Sequence, residues 1–244
     1  MDRALNGRFA IVTGAGRGLG AATARALAGE GCGVAIWDVN DAAARALAQD
    51  LSGCGVPTRA VTLDVANPEQ VAAAVAADHA DFGRIDYLIN CAGVDVTLPI
   101  GELSVEQWDR VLGVNLRGPF LTTRAVFPIM QRQRGGQIVN VASTAAVRAW
   151  PNASAYCASK WGLLGFTRAI GTEGRPYNIR ATVVIPGGMR TGFFDRPDLP
   201  VKPDPANLND PSHVARTIVF VLSQPAESVI QEIAVMPLTE TSWP

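Results

Sequence analysis

What this chain has little of counts against several chemistries. It holds two histidines, His79 and His213, and neither has a carboxylate or cysteine companion at ligand spacing, so no metal centre is expected. Its four cysteines (Cys32, Cys54, Cys91, Cys157) are scattered and show no C-x-x-C spacing. That pattern predicts free thiols in a reducing compartment. No apolar run approaches the roughly 18 residues that a membrane span needs. Met1 to Arg8 is polar and lacks the apolar core of an export signal, so a cytoplasmic location is the expectation. Net charge is −1 with no long run of one sign, and neither nucleic acid nor a membrane is an expected partner.

What is present is an ordinary globular balance over 244 residues, 48% hydrophobic and 18% charged. That length fits one domain over residues 1–244 with a sizeable core. Short apolar runs alternate with helical stretches. Strands are predicted at Phe9 to Thr13, Gly33 to Trp37, Val61 to Leu63, Tyr87 to Asn90, Gln137 to Val141, Ile179 to Val184 and Glu232 to Val235. Helices are predicted at Leu19 to Gly29, Asp41 to Leu51, Pro68 to Ala80, Ala155 to Gly171 and Ser212 to Leu222. A longer helical region runs from Ser104 to Arg134, with a bend at Gly118 and Pro119. Short continuous strands are buried on both faces, and β-α alternation argues a doubly wound parallel α/β sheet of Rossmann type, with about seven strands. Ligands of such sheets bind at the C-terminal strand edge. Gly192 to Pro211 is irregular, with five prolines, and reads as a substrate lid or a surface loop.

The first strand runs into T-G-A-G-R-G-L-G, Thr13 to Gly20, and then a helix. Glycines let backbone N–H groups approach an anion, and the helix N-terminus adds about half a positive charge. A Gly-rich loop alone can be a structural turn, but between strand and helix it has the context of a pyrophosphate site. Asp38 ends the second strand. A carboxylate there can accept both adenosine ribose hydroxyls and repels a 2′-phosphate, at about 1–4 kcal/mol depending on dielectric. NAD is therefore favoured over NADP. Arg17 is the counter-signal, as a partner for a 2′-phosphate or as a solvated charge. Asp64 and Val65 end the third strand and flank adenine, or Asp64 caps the approach to the next helix.

Y-C-A-S-K sets Tyr156 and Lys160 four residues apart, on one helix face. A phenol titrates near 10, and an ammonium a few ångströms away favours its ionised form. Such a tyrosine can take a proton from an alcohol or give one to a ketone. Alone, the pair reads as a surface contact. Other segments stand around it in order: the glycine loop, N-C-A-G at Asn90 to Gly93, Asn115 in V-N-L, and Ser143 thirteen residues before Tyr156.

Together these segments resemble the short-chain dehydrogenase/reductase family, in its single-domain branch of about 250 residues, over the whole chain. The resemblance implies that Tyr156 is the general acid/base and that Lys160 lowers its pKa and holds the nicotinamide ribose. Ser143 would orient the substrate oxygen, and Asn115 would hold a water linking Lys160 to solvent. Gly14, Arg17, Gly18, Leu19 and Gly20 match the pyrophosphate loop. Asn90, Ala92 and Gly93 match the segment under the adenosine ribose, and Pro186, Gly187, Met189 and Thr191 the P-G-x-x-x-T segment beside the nicotinamide. Cys91 departs from the usual N-N-A-G, Thr182 from a frequent Asn, and the C-terminus from a frequent D-G-G. A homotetramer, or a homodimer, is implied.

Pocket candidates are Val94, Val96, Ala145, Val147, Arg148, Trp150, Phe193 and Phe194. Phe193 and Phe194 form an apolar lid or pack in the core; Arg148 binds an acidic group or is a solvated charge. Mostly apolar candidates point to a moderately hydrophobic substrate. The function expected is reversible hydride transfer between NAD(H) and a secondary alcohol or ketone. The alternatives are an NADPH-dependent ketone reductase of 3-oxoacyl type and a non-enzymatic dinucleotide-sensing or scaffold protein.

Overall fold

The computed structural model describes residues 3–195, 199 and 202–240. Among the described residues there are seven strands: β1 (Phe9–Thr13), β2 (Gly33–Asp38), β3 (Thr58–Thr62), β4 (Tyr87–Asn90), β5 (Gly136–Val141), β6 (Ile179–Pro186) and β7 (Glu232–Val235). They form one parallel sheet in the order β3-β2-β1-β4-β5-β6-β7. The helices are α1 (Gly18–Gly29), α2 (Asp41–Leu51), α3 (Pro68–Phe82), α4 (Val105–Leu112), α5 (Gly118–Gln133), α6 (Ser154–Gly174) and α7 (Pro211–Leu222).

Why the central strands read as unbroken apolar runs is visible in β1. Ala10 and Val12 enter one core with Leu27 of α1 and Ile218 of α7. Phe9 and Ile11 enter another with Val75 of α3 and Val126 of α5. Successive side chains take opposite faces, and each buried Ile or Val is worth about 1.5–3 kcal/mol. The strand order reverses between β1 and β4, which opens a crevice at their C-terminal ends.

Two of the boundaries that differ from the sequence expectation have a clear physical reason. β3 begins at Thr58, not Val61, because it pairs with Val34 to Asp38 of β2 along its whole length. It is a half-buried edge strand and so has no continuous apolar signature. The long helical region is interrupted earlier than Gly118. Ser104 opens α4 with a reciprocal capping box to Gln107, and Gly113–Arg117 then forms a π turn, in which Gly118 N–H donates to the Gly113 carbonyl. Pro119 falls in the first turn of α5, where its missing N–H is of no consequence. The widened turn carries Asn115.

Candidate active site

The ends of β1 and β4 are tied together first. Thr13 Oγ1 accepts from Cys91 N–H and Ala92 N–H, both at 3.1 Å. This lays residues 91–93 against the glycine loop. Gly14 has φ +62, and a Cβ there would stand 2.7 Å from Ala92 Cα, so only glycine allows the approach. Arg17, the N-cap of α1, provides no side-chain cap, and the first turn holds no acidic residue. The helix end that an anion would satisfy is thus left to the crevice.

Asp38 ends β2 with its carboxylate turned to that loop. Its Oδ2 accepts from Gly16 N–H at 2.8 Å and its Oδ1 from Asn40 N–H at 2.9 Å. A Cβ on Gly16 would lie 2.9 Å from the same carboxylate. Arg17 is directed elsewhere: a Cβ at Gly192 would stand 3.2 Å from its Nη1. Asp64 both lines the crevice and closes a local turn, its Oδ1 accepting from Ala66 N–H at 2.9 Å.

A cavity of about 1270 Å³ runs from Asp38 to Ser143, Tyr156 and Lys160. Its length, its glycine floor and the uncapped helix end fit a dinucleotide with a small substrate beside it. Ser143 precedes a short 3₁₀ turn, its Oγ accepting from Ala145 N–H at 3.2 Å. Lys160 is buried; its Nζ donates to the Val141 carbonyl at 2.8 Å and lies 5.6 Å from the centre of the Tyr156 ring. Burial pushes the Lys160 ammonium down to about 8, against the opposing pull of the Asp95 carboxylate. Burial also pushes the Cys91 thiol up to about 12, so it stays a neutral group where the resemblance has an amide.

Asn115 is fully buried and lies behind this surface rather than in it. Its Oδ1 accepts from Val94 N–H at 2.9 Å, and its Nδ2 donates to the Val94 carbonyl at 2.8 Å and to Ser159 Oγ at 3.1 Å. The side chain therefore fixes the strand exit and α6 together. Asn115 Oδ1 and Lys160 Nζ both border Gly93, at 3.6 and 3.9 Å from its Cβ position.

Of the expected cofactor residues, Gly14, Arg17, Gly18, Leu19, Gly20, Asp38, Asp64, Val65, Ala92, Gly93, Pro186, Gly187, Met189 and Thr191 line the cavity with Tyr156 and Lys160. Asn90 does not. It is buried, donates to Asn140 Oδ1 and accepts from Thr122 Oγ1, both at 2.8 Å, and braces β4 against β5 and α5.

The pocket candidates divide. Val94, Ala145, Trp150, Phe193 and Phe194 line the cavity, whereas Val96, Val147 and Arg148 do not. Val147 packs on the small core of Ala146, Leu164 and Ile185. Arg148 is exposed and not among the residues lining the cavity. Tyr156 and Phe193 rings stand 5.8 Å apart, and Phe193 meets Phe194 edge-on at 5.6 Å; both phenylalanines line the cavity.

The segment from Gly192 to Pro211 leaves and returns at one place. Asn209 N–H donates to the Gly188 carbonyl at 2.9 Å, and Arg190 N–H to the Asn209 carbonyl at 2.8 Å. Leu199, Pro203 and Leu208 add to the cavity wall; Pro197 and Pro200 lie outside the described residues. Sequence reasoning missed Asp95, Asn152 and Glu240, which also line the cavity. None belongs to a motif. Glu240 is brought in by the segment after β7, and its Oε2 accepts from Gly188 N–H at 3.3 Å.

Comparison with known proteins agrees with this geometry. A family profile described as short chain dehydrogenase matches residues 8–198. D-threitol dehydrogenase of Mycolicibacterium smegmatis is 43% identical over 76% of this chain and 71% of its own length. The 2-dehydro-3-deoxy-L-rhamnonate dehydrogenase (NAD(+)) of a Sphingomonas species is 39% identical over 78% of this chain and 75% of its own. A metagenomic short-chain oxidoreductase crystallised with NADP superposes with a TM-score of 0.85 at 30% identity, covering 97% of this chain and 100% of that one.

Proposed function

Because the chain belongs to the short-chain dehydrogenase family and is an oxidoreductase, we propose that it catalyses reversible hydride transfer between NAD(H) and a secondary alcohol or ketone. The observation that carries the reading is the opening of Ser143, Tyr156 and Lys160 onto the same cavity as the glycine loop and Asp38. When bound, the nicotinamide cofactor supplies or accepts the hydride. Tyr156 Oη moves the proton to or from the substrate oxygen. The Lys160 charge, held 5.6 Å from that ring, favours the ionised phenol. Ser143 Oγ holds the substrate oxygen as charge develops on it. Asn115 keeps its turn beside Lys160, along which a water-borne proton reaches solvent.

Gly14, Gly18, Leu19 and Gly20 hold the pyrophosphate, Asp64, Val65 and Ala92 the adenosine, and Thr191 the carboxamide. Asp38 takes the adenosine ribose, and its charge supports NAD over NADP. The turn of Arg17 towards Gly192 supports the same choice. The competing reading, an NADP(H)-dependent ketone reductase, draws on the NADP-bound neighbour. A sensing or scaffold role would have no use for the proton-transfer group. Val94, Ala145, Met189 and Phe193 form an apolar wall for the substrate's carbon skeleton. The threitol dehydrogenase relative acts, by its name, on an alcohol of this general class.

Phe120 on α5 and Trp161 on α6 are 46% and 51% exposed, and they support assembly with further copies of the chain into a dimer or tetramer. Four free thiols suit a cytoplasmic setting. The test of the reaction is a panel of secondary alcohols and ketones with each cofactor, followed by absorbance of the reduced nicotinamide. NAD-linked turnover of at least one class is the expected result. A clear NADPH preference would overturn the cofactor assignment.

A further inference from the structure

One charged side chain stands behind the cofactor crevice rather than in it. Asp78, on α3, is fully buried and is not among the residues lining the cavity. Val71, Ala74 and Val75 of the same helix are apolar and pack in one core with Phe9 and Ile11 of β1. Burial pushes the Asp78 carboxyl up to about 6, opposed by a hydrogen bond from Trp37 and the charge of Arg59, so at neutral pH it is ionised. A buried charge is costly unless its partners are well placed, and apolar side chains often serve stability as well or better.

Asp78 reaches both strands that end at the adenosine side of the crevice. Its Oδ2 accepts from the indole N–H of Trp37, on β2, at 2.9 Å. Its Oδ1 stands 3.4 Å from Nη1 of Arg59, on β3, which also pairs with Asp81 one turn along α3. Trp37 is itself buried, and its carbonyl accepts from Ala15 N–H of the glycine loop at 3.1 Å. Next comes Asp38, whose carboxylate holds Gly16 N–H and whose carbonyl accepts from Leu63 N–H at 3.1 Å. Leu63 leads to Asp64, and there α3 meets the crevice again. Gln70, in its first turn, accepts from Asp64 N–H at 2.8 Å. Gln70 and Asp78 are eight residues apart, about 12 Å along one helix. One rigid element therefore grips Asp64 at its start and Trp37, beside Asp38, two turns later.

Resting on the function proposed above, we infer that Asp78 is a positioning residue for the adenosine half of the cofactor: through the Trp37 indole and Arg59 it sets the ends of β2 and β3, and with them the Asp38 and Asp64 carboxylates, in the arrangement that the adenosine meets. It acts only through those two partners. A site held in its binding geometry beforehand loses less freedom when the ligand enters. An apolar residue at position 78 would fill the space and leave the buried indole N–H without its acceptor.

The experiment measures the dissociation constants of NAD⁺ and of ADP-ribose by calorimetry, with thermal unfolding on the same preparations. Trp37→Phe combined with Asp78→Leu replaces donor and acceptor together by apolar groups, a change that is nearly neutral or stabilising for a fold. The melting temperature of this double variant should equal or exceed that of wild type, while its NAD⁺ dissociation constant rises at least about tenfold. ADP-ribose should weaken by the same factor, and kcat at saturating NAD⁺, for any alcohol turned over, should stay within about twofold of wild type. Asp78→Asn keeps an acceptor for the indole and should recover most of the affinity. A folded double variant that binds NAD⁺ as wild type does overturns the inference, and so does Asp78→Asn binding as weakly as the double variant. Affinity lost only in proportion to a lowered melting temperature marks a structural role and overturns it too. If the double variant does not fold, Asp78→Ala decides at a temperature where it is folded, and an unchanged dissociation constant there overturns the inference. Any of these results with NAD⁺ bound by wild type leaves the oxidoreductase reading standing. Wild type that binds neither NAD⁺ nor NADP⁺ sinks both.

Discussion

The Asp38 carboxylate accepts the N–H of Gly16 at 2.8 Å, so the residue proposed to read the adenosine ribose also fastens the loop proposed to hold the pyrophosphate. The two duties are separable by substitution. Asp38→Asn keeps an acceptor for Gly16 and loses the charge; Asp38→Ala loses both. Relief of the like-charge repulsion of about 1–4 kcal/mol should lower the NAD⁺ to NADP⁺ ratio of kcat/KM at least about tenfold in both variants. Asp38→Ala should in addition weaken NAD⁺ itself. Steady-state rates with the two cofactors check this, and an unchanged ratio would count against the ribose assignment.

Lys160 makes the stability of the cofactor-free protein depend on pH. Its folded-state value of about 8 lies below the ordinary 10.5. Between those values the unfolded chain binds the extra proton, so stability rises with pH through that window. Below it a penalty of about 3 kcal/mol persists, an order-of-magnitude figure from the same shift. The difference in unfolding free energy between wild type and Lys160→Met should therefore grow in favour of wild type from pH 8 to 10.5. Denaturant melts at the two ends of the window measure it.

Removing Asn115 should injure both fold and activity. Asn115→Ala leaves the Val94 N–H and carbonyl without the partners they have at 2.9 and 2.8 Å. A loss of about 2 kcal/mol in stability is expected. A fall in kcat of at least about tenfold should accompany it at temperatures where the variant is folded, because the turn beside Lys160 shifts.

At the opposite edge of the sheet, Asp86 serves the fold alone. It accepts from Phe9 N–H at 2.9 Å and pairs with Arg8 at 2.9 Å and Arg84 at 2.6 Å. Both arginines are half exposed and can return to water. Asp86→Ala should cost about 2 kcal/mol in a denaturation curve. Its kcat/KM at a permissive temperature should stay within about twofold of wild type, since its partners Phe9, Arg8 and Arg84 are not among the cavity-lining residues.

Much of this was legible in the sequence because the signals are local. β1, β4 and β5 are buried on both faces and announce themselves as apolar runs. The edge strand β3 is half exposed and does not, so its start at Thr58 carries no apolar signal. The π turn at Gly113–Arg117 was hidden by Gly118 and Pro119, which look like a breaker yet sit harmlessly in the first turn of α5. Asn90 stands in a motif segment, but its side chain turns towards Asn140 and Thr122. Val147 is close to Ser143 in sequence and faces the core. Asp95 and Glu240 carry no motif and reach the cavity only through the fold.

The central claim is that Tyr156 moves the proton in a site whose cofactor binding it does not control. Tyr156→Phe tests it most directly, with turnover and NAD⁺ affinity measured on the same preparation. The account predicts a fall in kcat of about 10²–10⁴-fold with the NAD⁺ dissociation constant within about twofold of wild type. Wild-type turnover by the folded variant would contradict it.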